Sequence, residues 1–350
     1  MIVRLTQLDG KLPNLALMRL AAWHRDRGDE VRFYRGAAGA ERRLDEPPYG
    51  VVYASAIFEF SAPLVARFRR EFPEAIIGGT WNKAERITVE AITGPRADDW
   101  CDYSIDPKFT ASLGFTQRGC RFNCPFCDVP AKEGKPRAAG TIRQIWRGDP
   151  WPRHVHLLDN DFFGVAKPVW KARMAEIRDG GFKVAFNQGI NIRVVTDEIA
   201  AEVASVEYRD DQFKRRRIYT AWDNLGDEDQ FFRGVDRFER AGIPGSHLMA
   251  FMLVGFDPQE TWARVFHRFE RMVARGIRPY PMPYGDKRRT LPLGGINRRL
   301  ERKTLGDFQR WVATGLYRDP STPFAAYAVN ALPRLRDQPD LFGEDHPLNY

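Results

Sequence analysis

The stretch Gly119-Cys120-Arg121-Phe122-Asn123-Cys124-Pro125-Phe126-Cys127 holds three of the four cysteines in a chain of 350 residues. Cys120, Cys124 and Cys127 stand at C-x-x-x-C-x-x-C spacing, on a loop with Gly119 before it and Pro125 inside it. Thiolates so close along a chain can converge on one inorganic centre. Structural zinc and simple iron–sulfur clusters normally take four protein ligands. A three-thiolate cluster leaves one iron open for another molecule, which suits a catalyst. The fourth cysteine, Cys101, lies in a separate segment without a partner at C-x-x-C spacing. Structural zinc sites usually pair their ligands two and two, so a closed four-cysteine zinc site is the weaker reading. So few cysteines, with no signal-peptide pattern, also argue against a disulfide framework and for a reducing, cytoplasmic location.

Outward from this loop the chain alternates strand and helix. From residue 111 the candidate strands are 111–117, 154–159, 183–188, 217–222, 248–256 and 277–282, with helical segments between them. Such βα units fit an incomplete (β/α)6 TIM-type barrel, in which functional side chains gather where strands end. The first strand runs into the cysteine loop, the second into Asp159-Asn160-Asp161 and the third into Asn187-Gln188-Gly189. The fourth ends in Trp222-Asp223-Asn224, the fifth in Gly255-Phe256-Asp257 and the sixth in Pro283-Tyr284. Any one of these is an ordinary turn former. Their recurrence around a cysteine loop points to a shared site.

Before the loop, short apolar strands at IVRLTQL, VRFY, GVVYASA and AIIGG alternate with helices at NLALMRLAAWHRDRG and APLVARFRREF. That pattern implies an α/β, Rossmann-like domain with ligand-sized crevices at the carboxyl ends of its strands. The expected organisation is therefore a Rossmann-like domain over 1–95, a linker over 96–110, the partial barrel over 111–285 and a helical C-terminal extension over 286–350.

Apolar residues at 43% and charged residues at 29% are those of an ordinary globular protein, and no apolar run is long enough to span a membrane. The net charge of +8 permits an anionic partner without requiring one. Lys214-Arg215-Arg216-Arg217 precedes the fourth strand, away from the strand ends. Lys287, Arg288 and Arg289, followed by Arg298 and Arg299, come after the sixth strand and start at the mouth, where they could meet an anionic substrate.

The cysteine loop, with Phe126 directly before the third cysteine, resembles the signature of the radical S-adenosylmethionine (SAM) superfamily. Its lead-in, ASLGFTQRGC, is similar to members with an N-terminal cobalamin-binding-type domain. The resemblance spans roughly residues 1–285 and is strongest at 111–128. It implies a [4Fe–4S] cluster on Cys120, Cys124 and Cys127, with SAM on the open iron. It also implies reductive cleavage to a 5′-deoxyadenosyl radical that abstracts hydrogen, and a flavodoxin- or ferredoxin-like electron donor. By the same resemblance the backbone at Phe126 approaches the adenine, and a carboxylate among Asp159, Asn160 and Asp161 accepts from the SAM amino group. The family's usual Gly-Gly-Glu run is absent there. Asp223 or Asn224 matches the ribose position, Gly255 lies against adenine, and Gln188 and Arg193 are candidates for the methionyl carboxylate or the substrate. Cobalamin is disfavoured. In the family a histidine loop after the first strand supplies the axial ligand, but here it reads Asp9-Gly10-Lys11-Leu12-Pro13-Asn14, and His24 lies farther on. A protonated lysine has no lone pair for cobalt. The alternatives are a cobalamin-dependent radical SAM methyltransferase and a zinc-stabilised, basic nucleic-acid-binding protein. A methylthiotransferase is disfavoured because only Cys101 precedes the loop.

Overall fold

The computed structural model describes residues 1–82, 84, 87–94 and 101–327. The chain divides into a first unit, Met1–Thr110, and a second that begins at Ala111. Both are mixed α/β structures built on parallel sheets.

The first unit carries β1 (Ile2–Gln7), β2 (Glu30–Arg35), β3 (Val51–Ala56) and β4 (Ile76–Gly79), all parallel, in the order β2-β1-β3-β4. Residues Val3 to Gln7 of central β1 are fully buried, as expected when a parallel sheet is covered on both faces. The helix Leu15–Arg25 starts where the Asn14 side chain accepts from the Leu17 N–H. A charged residue inside β1 has a local cause. Arg4 pairs with Glu46 and lies 3.7 Å from the Tyr34 ring centre and 4.5 Å from that of Phe72. Of the expected linker, residues 96–100 lie outside the described residues. Asp102 in its remainder donates its N–H to the Met18 carbonyl, which ties it to the first unit.

The second unit contains β5 (Ser112–Gly114), β6 (Gln117–Arg118), β7 (Arg137–Ala138), β8 (His154–Leu157), β9 (Lys183–Phe186), β10 (Glu207–Tyr208), β11 (Ile218–Ala221), β12 (Leu248–Val254) and β13 (Arg278–Pro283). Parallel sheets form in the orders β10-β9-β8-β5 and β11-β12-β13, and β6 and β7 make an antiparallel ribbon. The Ile190 N–H donates to the Tyr219 carbonyl at 2.8 Å, which links the chain after β9 to β11. Helices Lys167–Asp179, Asp197–Ala204, Glu228–Arg240 and Trp262–Ala274 follow their strands in turn. Their apolar faces form one core with Leu157, Phe186, Trp222 and Val254.

All six expected strands are present but stop earlier at most of their carboxyl ends. β8 ends at Leu157 because Asp159 turns inward to accept from the Thr116 and Gln117 N–H groups. β12 ends at Val254 because Gly255 adopts φ +86°, a conformation that favours glycine. Two-residue β10 was not expected; it pairs with Lys183 and Val184.

The free edge of β13 is closed to further pairing by its composition. The Tyr284 N–H donates to Val254, so even-numbered residues face β12 and Pro279, Pro281 and Pro283 face outward. Proline has no N–H to offer a further strand. Helix Leu305–Ala313 covers this edge, and Gln309 Nε2 donates to the Pro281 carbonyl at 3.2 Å. Phe308, Trp311 and Phe324 of this extension pack on Trp262 and Phe269. The tail from residue 328 onward lies outside the described residues. Among those described, no helix is long and apolar enough to cross a membrane.

Candidate metal centre

Gly119 starts the cysteine loop at φ +80°, where a Cβ would sit 2.3 Å from the Lys135 carbonyl oxygen and 2.6 Å from that of Gly134. Only glycine lets these two backbones touch, and the contact is secured where the Cys120 N–H donates to the Gly134 carbonyl at 3.1 Å. The Glu133 carboxylate accepts from Arg118 at 2.9 and 3.0 Å, from the Gly119 N–H at 3.0 Å and from Asn160 Nδ2 at 2.9 Å. Burial alone would raise its pKa, but these donors hold it below the ordinary value. Gln117 closes the loop's other side, donating to the Gly119 carbonyl and accepting from the Asp161 N–H.

Within the loop the Cys127 N–H donates to the Cys124 carbonyl at 3.0 Å, and the Phe122 N–H approaches Cys120 Sγ at 3.4 Å. None of the four cysteines is in a disulfide, and all are half-buried. Burial raises the Cys120 and Cys127 pKa values, and neighbouring thiolates add to the rise: Cys120 feels Cys127 and Cys124, and Cys127 feels Cys124. The three thiols are thus close enough to feel one another's charge. Among the described residues no group of three or more His, Cys, Asp or Glu is placed to hold a single metal ion.

The acids after β8 face this loop and are engaged by it. Asp159, buried, accepts from Thr116 N–H, Thr116 Oγ1 and Gln117 N–H at 2.6–2.8 Å. Burial pushes its pKa up to about 7 against these donors. Asp161 holds the Arg121 guanidinium at 2.7 and 3.0 Å. Each member of the Asp159-Asn160-Asp161 run thus supports the loop directly or through Glu133.

Arg193, after β9, reaches the same loop. Its guanidinium lies 4.6 Å from the Phe122 ring centre and pairs with Asp227 at 2.9 Å. Gln188 is exposed. After β11, half-buried Asp223 accepts from the Leu253 N–H at 3.0 Å, and burial pushes its pKa up to about 6. Its charge also raises the Cys127 pKa. Asn224 is exposed and caps the turn Leu225–Asp227.

At the ends of β12 and β13 an aromatic chain forms. Phe126 of the loop meets Phe256 edge-on at 5.3 Å, and Phe256 meets Tyr284 at 4.9 Å. Gly255 approaches the extension closely: a Cβ there would lie 2.6 Å from Leu305 Cδ1. Its carbonyl accepts from Arg289 Nη1 at 3.1 Å. Arg288 pairs with Asp286, and Lys287 is exposed.

Several supporting residues are invisible in the pattern of the sequence. Arg268 is buried on the core face of its helix, pairs with Glu260, and donates to the carbonyls of Trp222, Asp223 and Leu253. Glu260 in turn accepts from the Gly255 N–H. This pair ties together the ends of β11 and β12. Its only sequence signal is an arginine at an apolar position of a helical repeat. Glu133, alone in a polar stretch, gives none. Buried His156, on β8, meets Asn187 Oδ1 through Nδ1 at 3.1 Å. No family model matches this sequence, and no curated protein matches it.

Proposed function

We propose that the chain is a radical SAM enzyme. In this reading β5, β8, β9, β11, β12 and β13 form an open partial barrel, the first unit is Rossmann-like, and the cysteine loop is the catalytic centre. The supporting observation is that Cys120, Cys124 and Cys127 share one braced loop, in a unit that holds no other cysteine. A single zinc ion, about 2.3 Å from each sulfur, needs thiolates roughly 3.8 Å apart. A [4Fe–4S] cluster binds each thiolate at a different iron and so needs a wider spread. Bound there, the cluster would supply the electron for reductive cleavage of SAM and so for hydrogen abstraction from a substrate.

The chain's own residues would then position and shield. Arg121 with Asp161, and Arg118 with Glu133, hold the loop's shape. Asp223 has Oδ1 occupied by Leu253 and Oδ2 left to accept from a ribose hydroxyl. It is mostly ionised at neutral pH, given its pKa of about 6. Arg193, placed over the Phe122 ring and steadied by Asp227, offers a cation at the site's edge for a carboxylate. The Phe126–Phe256–Tyr284 chain forms an apolar wall that excludes water from one side. Asp159 and Asn160 are assigned to bracing the loop, and Gly255 to the approach of the extension. A flavodoxin- or ferredoxin-like reductant and a cytoplasmic setting belong to the same reading.

The first unit offers cobalamin no histidine ligand on the loop after its first strand. Lys11 is exposed, and both Asp9 oxygens accept from the backbone of Ile57 and Phe58. Buried His24 is held between Asp29 at 2.7 Å and the Tyr53 hydroxyl at 3.3 Å. A cavity in this unit lined by Leu17, Tyr53, Ser55 and Gly78 measures about 30 Å³, room for a few water molecules at most.

Anaerobic reconstitution with iron and sulfide, followed by reduction in the presence of SAM, tests the proposal. Formation of 5′-deoxyadenosine supports it. A colourless protein that binds zinc and leaves SAM intact refutes it.

A further inference from the structure

We infer that the segment following β13 is a polynucleotide-binding surface, with Lys287, Arg298, Arg299 and Arg302 meeting phosphates and Tyr284 offering its ring to a base. Only its placement beside a catalytic centre rests on the function proposed above; the binding itself needs neither cluster nor SAM.

The first observation is a concentration of unmatched cations along one short segment. Several surface arginines of the second unit have acidic partners, among them Arg178 with Glu202, Arg216 with Glu207, Arg240 with Asp197, Arg264 with Asp257, and Arg275 with Asp236 and Glu239. Arg298, Arg299 and Arg302 are exposed and, with Lys287, have no acidic partner among the described residues. Between 287 and 303 seven lysines and arginines face one acid, Glu301. Asp286, just before them, is taken by Arg288. Like charges left this close repel one another, at a cost that an anionic partner would relieve.

The second observation is that the cations are held on a fixed scaffold. The turn Arg298–Leu300 is anchored by buried Leu300. Thr290 Oγ1 donates to the Glu301 carbonyl at 3.2 Å. The Lys287 and Arg289 carbonyls accept from the Gly306 and Leu305 N–H groups, both at 2.8 Å, so Lys287 runs alongside the segment that carries Arg302.

An aromatic ring then favours a nucleic acid over an acidic protein or a lipid surface. Tyr284 is 43% exposed, three residues before Lys287, and its inner edge meets Phe256, which meets Phe126 of the cysteine loop. Phosphate-tracking cations beside a ring that can stack with a base are what single-stranded polynucleotides select. The ring chain would lead a stacked base toward the loop.

The test is fluorescence anisotropy of labelled single-stranded RNA and DNA oligonucleotides with the full chain, titrated over a range of salt. Arg298→Gln/Arg299→Gln should weaken binding at 50 mM salt by about tenfold or more and reduce the log–log salt slope by about 1.4, at roughly 0.7 per lost phosphate contact. Arg143→Gln/Arg233→Gln removes the same charge from exposed positions elsewhere and should leave both nearly unchanged. Tyr284→Ala should lower affinity about fivefold to a hundredfold without changing the slope. Thermal unfolding of each variant checks that the fold persists. The inference is overturned if both double variants weaken binding equally, if neither does, or if polyglutamate or phosphatidylglycerol vesicles bind as tightly as the oligonucleotides. Since no cluster enters this assay, its failure leaves the proposed chemistry untouched, and a failed reconstitution leaves this surface untouched.

Discussion

Asp161 grips Arg121 at two points, Nε to Oδ2 at 2.7 Å and Nη2 to Oδ1 at 3.0 Å, and its Oδ2 also receives the Arg121 N–H at 3.2 Å. The carboxylate after the second strand thus sets the residue that follows Cys120. Family resemblance points the same carboxylate toward SAM, whereas the structure turns both its oxygens to the loop. Asp161→Asn should therefore lower the iron retained after reconstitution, through loss of charge-assisted bonds worth about 1.5–3 kcal/mol. The loaded fraction should bind SAM as the parent does. Normal iron content with weakened SAM affinity would return Asp161 to the role of a SAM ligand.

Gly119→Ala places a methyl group within 2.3 Å of a backbone oxygen at φ +80°. The Gly134 carbonyl cannot yield without opening its bond to the Cys120 N–H. Strain of about 1–3 kcal/mol is expected, with a lower unfolding temperature and a cluster that is lost on desalting. Gly148→Ala, also at positive φ but with open space around it, should cost less and leave iron binding intact. Equal iron loss in the two would show that this contact does not shape the loop.

The alternation of strands and helices was legible because helix periodicity and short apolar runs are local signals, and each of the six strands expected after residue 111 has a counterpart in the second unit. The three-cysteine loop was legible for the same reason. Partner choice was not. Asp159, Asn160 and Asp161 read as a ligand run because polar residues at strand ends look alike whether they face a ligand or a neighbouring backbone. Only the fold reveals that Thr116, Gln117, Arg121 and Glu133 claim them. Gly255 read as room for adenine, yet its space is taken by Leu305, fifty residues on in sequence. Arg289 read as a cation for an anionic substrate, and its Nη1 donates to the Gly255 carbonyl. Long-range pairing of this kind leaves no periodic trace.

Arg268→Met should be among the most destabilising single changes in the second unit. It strands buried Glu260 and frees three carbonyls at the ends of β11 and β12. Removing one partner of a buried pair costs about 3–5 kcal/mol. Chemical denaturation measures it. A loss below about 1 kcal/mol would mean that these strand ends do not depend on the pair.

Burial lowers the His156 pKa to about 4, against about 6.5 in an unfolded chain. Between those values the unfolded state binds more protons, so the stability His156 contributes is full above about pH 6.5 and falls away toward pH 4. The swing is roughly 3 kcal/mol. Asp159, with its pKa raised to about 7, titrates in the opposite sense, so the comparison must be between the parent and His156→Gln. The variant keeps a polar group for Asn187 but no titrating ring. Its stability relative to the parent should rise as the pH is lowered from 6.5 to 4. A constant difference would show that His156 is not held neutral by burial.

The most direct measurement is iron and acid-labile sulfide per chain in anaerobically reconstituted parent protein, Cys124→Ala and Cys101→Ala. The expected result is about four iron and four sulfide per chain in the parent, the same in Cys101→Ala, and near-complete loss in Cys124→Ala. If Cys101→Ala loses metal as fully as Cys124→Ala, or if the parent holds one zinc and no sulfide, the open three-thiolate centre is contradicted.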